Sequence, residues 1–142
     1  MAHELLRDRA AYEAARAASI EDPEGFWADQ AGGFTWQRRW DRVLEWDFEG
    51  PSVKWFIGGR LNITENCLDR HLEQHAQRIA MIWEPNDPHA PGQRITYREL
   101  HERVCAMANV LKRNGIGKGD RVAIYMPMIP ELLVSVLACA RI

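Results

Sequence analysis

Apolar and polar positions follow two different rhythms along this chain, and the change comes near residue 60. From Leu100 onward apolar side chains recur every three or four residues, at Leu100, Val104, Met107, Ala108 and Leu111, the spacing of one helical face. Local signals bound that helix. Thr96 and Glu99 can form a capping box, in which a hydroxyl and a carboxylate each satisfy an orphan backbone N–H, and Asn114 with Gly115 suits the left-handed residue that ends a helix. Upstream, residues 78–84 read as a strand, the Pro- and Asp-containing stretch after them as a turn, and residues 94–96 as a short returning strand. Asn62 or Thr64 can cap an earlier helix carrying Ile63, Cys67, Leu68, His71 and Leu72 on one face. Residues 121–126 (RVAIYM) are too continuously apolar for a strand with one wet face, and predict a central strand of a parallel sheet that Pro127 stops. Pro130 and Glu131 then open a last helix, because proline's fixed φ suits the first turn and a carboxylate suits the positive end of the helix dipole. Strand, loop and helix make half of a crossover unit, with the returning strand expected after Ile142.

Before residue 60 the pattern is weaker. The alanine-rich stretch 10–18 predicts a helix, and Asp22, Pro23 and Glu24 start a second one that Gly32 and Gly33 end. Beyond it neither period lasts, although residues 52–57 could form a short strand closed by Gly58 and Gly59. This region reads as an arm rather than a domain. It holds all four Phe (26, 34, 48, 56) and five of the six Trp (27, 36, 40, 46, 55). Such rings can anchor an irregular segment through their large apolar area. They can also stack on bases or sugars, and Arg38 and Arg39 beside Trp40 superficially resemble a nucleic-acid stripe.

Composition narrows the class. With 46% hydrophobic and 27% charged residues in 142, the chain has the makeup of a globular segment able to bury a core. Its formal charge of −2 provides no overall field for nucleic acid or an acidic membrane surface. Three cysteines, Cys67, Cys105 and Cys139, are widely spaced and form no CxxC pair, which fits a reducing, cytoplasmic setting. The first residues lack the apolar core of a secretory signal and carry Glu4 and Asp8, which transit peptides avoid. The longest apolar stretch, residues 132–142, falls short of the roughly 20 residues that span a bilayer. It stops in mid-helix without a cap or polar tail, so the sequence is expected to be the front part of something larger.

Two stretches carry possible chemistry. Residues 115–120 (GIGKGD) have the glycines and lysine of a phosphate-cradling loop, but such a loop follows a strand and opens a helix. This one follows a helix and opens a strand, so a cap and a turn are expected. His71 and His75 lie one helical turn apart and could share a metal, yet Leu72 stands where a zinc protease has Glu, and no third ligand is evident. A partly exposed helix face is expected there. Cys105 lies within the apolar helix pattern, where a thiol behaves as a small hydrophobe, and no nucleophile is assigned.

Taken in order, several runs resemble the N-terminal quarter of AMP-forming acetyl-CoA synthetases, of the acyl-adenylate-forming superfamily. They are residues 26–27 (FW), 53–56 (VKWF), 61–62 (LN), 66–72 (NCLDRHL), 82–84 (IWE), 96–101 (TYRELH), 119–131 (GDRVAIYMPMIPE) and 137–142 (LACARI). TYREL is similar to the first core motif of adenylating enzymes at large, whereas residues 66–72 and 123–131 are similar to the acetyl-CoA synthetase branch. The resemblance implies an α/β fold, incomplete here. Residues 1–60 would be the aromatic-rich N-terminal extension that wraps on the large domain, and residues 61–142 the first helices and strands of the AMP-binding, adenylate-forming domain.

For the parent protein it implies an acetate–CoA ligase that converts acetate, ATP and CoA to acetyl-CoA, AMP and pyrophosphate through acetyl-adenylate, with magnesium on the phosphates. The family's phosphate loop, its adenine and ribose motifs, its hinge and its catalytic lysine have no counterpart in residues 1–142. This stretch is therefore expected to be scaffold, inactive alone and holding none of ATP, CoA or magnesium. No catalytic, cofactor-binding or metal-binding residue is assigned, and Lys54 and Arg70 are given no role. Pro127 to Pro130 could approach a ligand past the end of a strand, although helix initiation explains Pro130 and Glu131 as well. Partners are small molecules, with no nucleic acid or membrane expected. The alternative is a short non-enzymatic protein derived from such a ligase, binding a partner through an exposed sheet edge and the aromatic arm.

Overall fold

The computed structural model describes residues 8–142, so the N-terminal residues read above for targeting lie largely outside it. The chain forms two compact units, one running to Leu61 and the other from Asn62 to Ile142.

In the first unit, α1 (Arg9–Glu21) starts where the Asp8 carboxylate accepts from the Ala11 N–H at 2.8 Å, and buries none of its residues. Next comes α2 (Pro23–Ala31), capped by Asp22 through the Gly25 N–H at 2.9 Å, with Pro23 in its first turn as the sequence predicts. Two strands follow where one was expected. β1 (Arg42–Asp47) pairs antiparallel with β2 (Ser52–Ile57), setting Leu44 opposite Trp55 and Trp46 opposite Val53. β1 escapes a period-two reading because it is apolar on both faces: Val43 is buried, while Leu44 and Trp46 lie on the other side. A further bridge between Arg38 and Arg60 prolongs the pairing. The segment is thus a regular hairpin rather than an irregular arm.

Its rings pack on one another. Trp36, Trp40 and Phe56 sit with centroids 4.9, 5.4 and 5.1 Å apart, mostly edge to face, the arrangement aromatic quadrupoles favour. The Trp36 indole N–H donates to the Ala31 carbonyl at 2.9 Å, which joins the end of α2 to the cluster. Phe56 adopts φ +51° to place its ring there, a region disfavoured for bulky residues. Gly59 must be glycine, since a Cβ would lie 2.7 Å from the Trp36 ring.

The second unit begins with α3 (Ile63–Cys67), capped by Asn62. The single helix expected over residues 63–72 is broken. The backbone turns at Leu68 (φ −122°, ψ −65°), passes through one 3₁₀ turn over Asp69–His71, and resumes as the short α4 (Leu72–His75). The face also differs from expectation. Leu68 is buried as read, but Ile63 and Cys67 are exposed, and Thr64 and Asn66 are buried in their place. β3 (Ile79–Trp83) and β4 (Gln93–Thr96) then pair antiparallel, with an irregularity between Ile79 and Met81.

α5 (Tyr97–Arg113) carries the predicted capping box: the Thr96 N–H donates to Glu99 Oε2 at 2.8 Å, and the Glu99 N–H to Thr96 Oγ1 at 3.3 Å. The Thr96 N–H and the Thr96 hydroxyl, both donating to Glu99 Oε2, hold the Glu99 carboxyl below its usual pKa. The helix ends at Asn114, with Gly115 at φ +82°. α6 (Pro130–Arg141) packs along α5. Leu68, Ile95, Leu100, Val104, Ala108, Leu111, Val134 and Ala138 form the core between these elements, each larger aliphatic contributing about 1.5–3 kcal/mol through burial.

Residues 121–126 are not a strand. They pair with no other segment among the described residues, and Val122, Tyr125 and Met126 are exposed. A run apolar on both faces needs neighbours along both edges and over both faces, and the β3–β4 pair supplies neither edge. The loop after it is held. The Trp83 indole N–H donates to the Met128 carbonyl at 2.6 Å, and the Ile129 N–H to the Pro127 carbonyl at 2.8 Å.

Candidate functional site

The densest polar cluster in Asn62–Ile142 joins residues that are distant in sequence. Arg141, in the last turn of α6, lays its guanidinium fork on Asp69 of the 3₁₀ turn, Nη1 to Oδ2 and Nη2 to Oδ1, both at 2.8 Å. Nη1 also donates to the Thr64 hydroxyl at 3.2 Å, and Thr64 is fully buried. His101 on α5 approaches the same group, with Nε2 3.4 Å from Asp69 Oδ1 and 3.5 Å from Arg141 Nη2. Cys105, one turn on, places Sγ 3.5 Å from His101 Nε2. The fork is bidentate and charge-assisted, the strong form of this hydrogen bond. It holds the Asp69 carboxyl below its ordinary pKa and raises that of Arg141.

Asp69, His101 and Cys105 have the residue types of a nucleophilic relay, but not its geometry. A relay needs the thiol on one imidazole nitrogen and the orienting acid on the other. Here Asp69, Arg141 and Cys105 all crowd Nε2, so the carboxylate cannot orient the ring toward the thiol. The cluster can fasten elements together. It is not arranged to pass a proton from sulfur to carboxylate.

The pairs read from the sequence fall elsewhere. His71 and His75 do lie side by side, with near-parallel rings and centroids 6.3 Å apart, and His71 packs on Tyr97 at 5.0 Å. Stacked rings at that distance do not converge on one point, whereas a shared zinc needs both nitrogens within about 2.0–2.1 Å. Burial, with the charges of Arg70, His75 and Arg78, pushes the His71 pKa down. Among the described residues no group of three or more His, Cys, Asp and Glu is placed to hold a metal. The glycine turn after α5 has its anion built in, since the Gly117 N–H donates to Asp120 Oδ2 at 2.8 Å.

Lys54 pairs with Glu45 across the hairpin at 3.0 Å and lowers its pKa, and Arg70 reaches Asn66 Oδ1 at 3.4 Å. Around Trp40, Arg39 lies 4.8 Å over the ring and Arg38 bonds Asp41 at 2.8 Å. Sequence patterns did not reveal the Arg141 cluster, because its members are scattered across four elements and one of them, Thr64, is a buried polar residue that hydrophobicity alone does not mark as interior. The one available signal was the recurrence of Asp69 and Arg141 within runs 66–72 and 137–142.

The AMP-binding enzyme family matches residues 68–142, and the family described as acetyl-coenzyme A synthetase N-terminus matches residues 12–67. The chain belongs to the AMP-binding enzyme family. The acetyl-coenzyme A synthetase of Bdellovibrio bacteriovorus is 51% identical over 136 residues, which is 95% of this chain and 21% of that protein. That of Alkalilimnicola ehrlichii is 52% identical over 132 residues, 92% of this chain and 20% of the relative. Among solved structures, acetoacetyl-CoA synthetase from Streptomyces lividans superposes with a TM-score of 0.81 at 28% identity, over 97% of this chain and 21% of that one.

The chain therefore spans about a fifth of the length of these relatives, and its mixed helix-and-strand fold is that of the matching region. The relatives are named as synthetases, which leaves the reading of a short interaction protein without support. No helix among the described residues is long and apolar enough to cross a membrane.

Proposed function

We propose that this chain is the opening part of an acetate–CoA ligase. In the first half-reaction an acetate carboxylate oxygen bonds to the α-phosphorus of ATP and pyrophosphate leaves. In the second, the CoA thiol, giving up its proton, bonds to the acyl carbon and AMP leaves. The observation that carries the reading is about 50% identity to curated acetyl-coenzyme A synthetases over nearly the whole chain. Residues 1–60 would serve as the N-terminal extension and residues 61–142 as the start of the AMP-binding domain.

Within such an enzyme this stretch acts as scaffold. ATP, CoA and magnesium are held by groups outside it, in keeping with an Arg141 cluster whose charges answer one another. The exposed apolar run 121–126 fits a strand that gains its ladder partners from the rest of the domain. A cytoplasmic enzyme acting on small molecules is the corresponding cellular picture.

A chimera tests the proposal. Residues 1–142 replace the matching fifth of the Bdellovibrio bacteriovorus enzyme, and acetate-dependent exchange of pyrophosphate into ATP is measured. Exchange near the parent level is expected from the chimera, and none from the 142 residues alone. A folded chimera without exchange, or exchange by the short chain, would overturn it.

A further inference from the structure

Two linked backbone bonds close the C-terminal end of α5. The Gly115 N–H donates to the Lys112 carbonyl at 3.0 Å and the Ile116 N–H to the Leu111 carbonyl at 3.1 Å, with Gly115 left-handed at φ +82°. Ile116 packs on the core that holds Leu111, the apolar contact that accompanies this double-bonded cap. The Asn114 side chain joins in, its Nδ2 donating to the Val110 carbonyl at 2.9 Å. The same pair is chemically labile, because an asparagine amide is open to attack by the backbone nitrogen of the next residue, and glycine neither hinders the approach nor restricts the backbone. Asn62, Asn66, Asn86 and Asn109 are followed by Ile63, Cys67, Asp87 and Val110, and Asn114 alone precedes a glycine.

We propose that Asn114 is a site of spontaneous deamidation gated by the end of α5. The Gly115 nitrogen gives its proton to hydroxide and bonds to Asn114 Cγ; the Cγ–Nδ2 bond breaks, and the nitrogen leaves as ammonia after taking a proton from water. Water then opens the cyclic imide at either carbonyl, leaving aspartate or isoaspartate. In the closed cap both reacting groups are tied, the Gly115 N–H by Lys112 and the Asn114 amide by Val110. Asn114 also sits at ψ 13°, which turns the Gly115 nitrogen away from its side chain, so the ring forms only when the last turn opens. Neither product restores the cap. Both lack the donor to Val110 and set a carboxylate at the negative end of the helix dipole, and isoaspartate adds a carbon to the backbone that the Gly115 and Ile116 bonds span.

Peptide mapping by mass spectrometry, on the 142-residue chain held at about pH 8.5, decides it. A gain of about one mass unit is expected at Asn114 ahead of the other four asparagines. Asn114→Gln, which would have to close a six-membered ring, is expected to lose it. Ile116→Ala, which removes the apolar contact of the cap, is expected to speed conversion on the order of threefold to tenfold. Urea below the unfolding midpoint gives the same reading without a substitution, the rate climbing as the turn opens more often. No conversion at Asn114 in the folded chain, while the fully unfolded chain converts, would overturn the site. A rate that stays flat through the urea series, or is unchanged in Ile116→Ala, would overturn the gate.

Discussion

Two hydrophobic residues, Ala31 and Val43, are buried in the described part of the unit ending at Leu61, against nine in Asn62–Ile142. The first unit leans on rings. Trp36, Trp40 and Phe56 stay half-exposed and still hold the hairpin to the end of α2, because an aromatic brings a large contact area and edge-to-face attraction even when partly wet. The second unit excludes water from an aliphatic interior and closes its rim with ions, Arg141 on Asp69. A thin segment can thus be ordered by a few large side chains, while a helical layer needs many small contacts in register.

The largest test of this contrast is Leu100→Ala. Leu100 lies in the aliphatic core with 3% exposure, and removing it is expected to cost about 2–5 kcal/mol, read as a lower urea midpoint. Trp36→Ala follows at about 2 kcal/mol, since the ring is half-buried and its partners are rings. A loss as large as that of Leu100→Ala would show that the aromatic cluster is a true core.

Next comes Arg141→Gln, expected to cost about 1.5 kcal/mol, the low end for charge-assisted hydrogen bonds because the pair is partly exposed. No measurable cost would mean that solvent screens the pair as it does a surface bridge. The pH dependence has a definite sign. The folded Asp69 pKa lies below its ordinary value of 3.8, so its contribution is complete above about 3.8 and is lost as pH falls through the lower folded value. Asp69→Asn should remove that part of the acid slope in a series of melts.

The smallest effect concerns His71, whose folded pKa lies below 6.5. The neutral form is favoured, so its contribution is present above 6.5 and fades as pH drops below it. His71→Gln is expected to flatten this slope, checked by urea titrations at pH 7.5 and 5.5.

What was legible in the sequence was local. The Thr96–Glu99 capping box, Asn114 with Gly115, Asp22 with Pro23 and the start at Pro130 each depend on residues within one turn, and each is found as read. β1 was lost because Val43 and Trp46 face opposite sides and both are apolar, which hides the alternation. The burial of Thr64 was not legible, because hydrophobicity alone does not anticipate a buried hydroxyl satisfied by a guanidinium from residue 141. Residues 121–126 show the converse. Composition reports what a segment could join, not whether its partners are at hand.

Trp83 has a spectroscopic consequence. It is the single indole in Asn62–Ile142, the other five lying before Leu61, and its N–H is engaged by the Met128 carbonyl. In a chain labelled with 5-fluorotryptophan, one fluorine resonance would therefore report on the loop entering α6, separate in origin from the five that report on the hairpin unit. Phe replacement at residue 83 would assign it by deletion, giving a direct optical and magnetic handle on that loop.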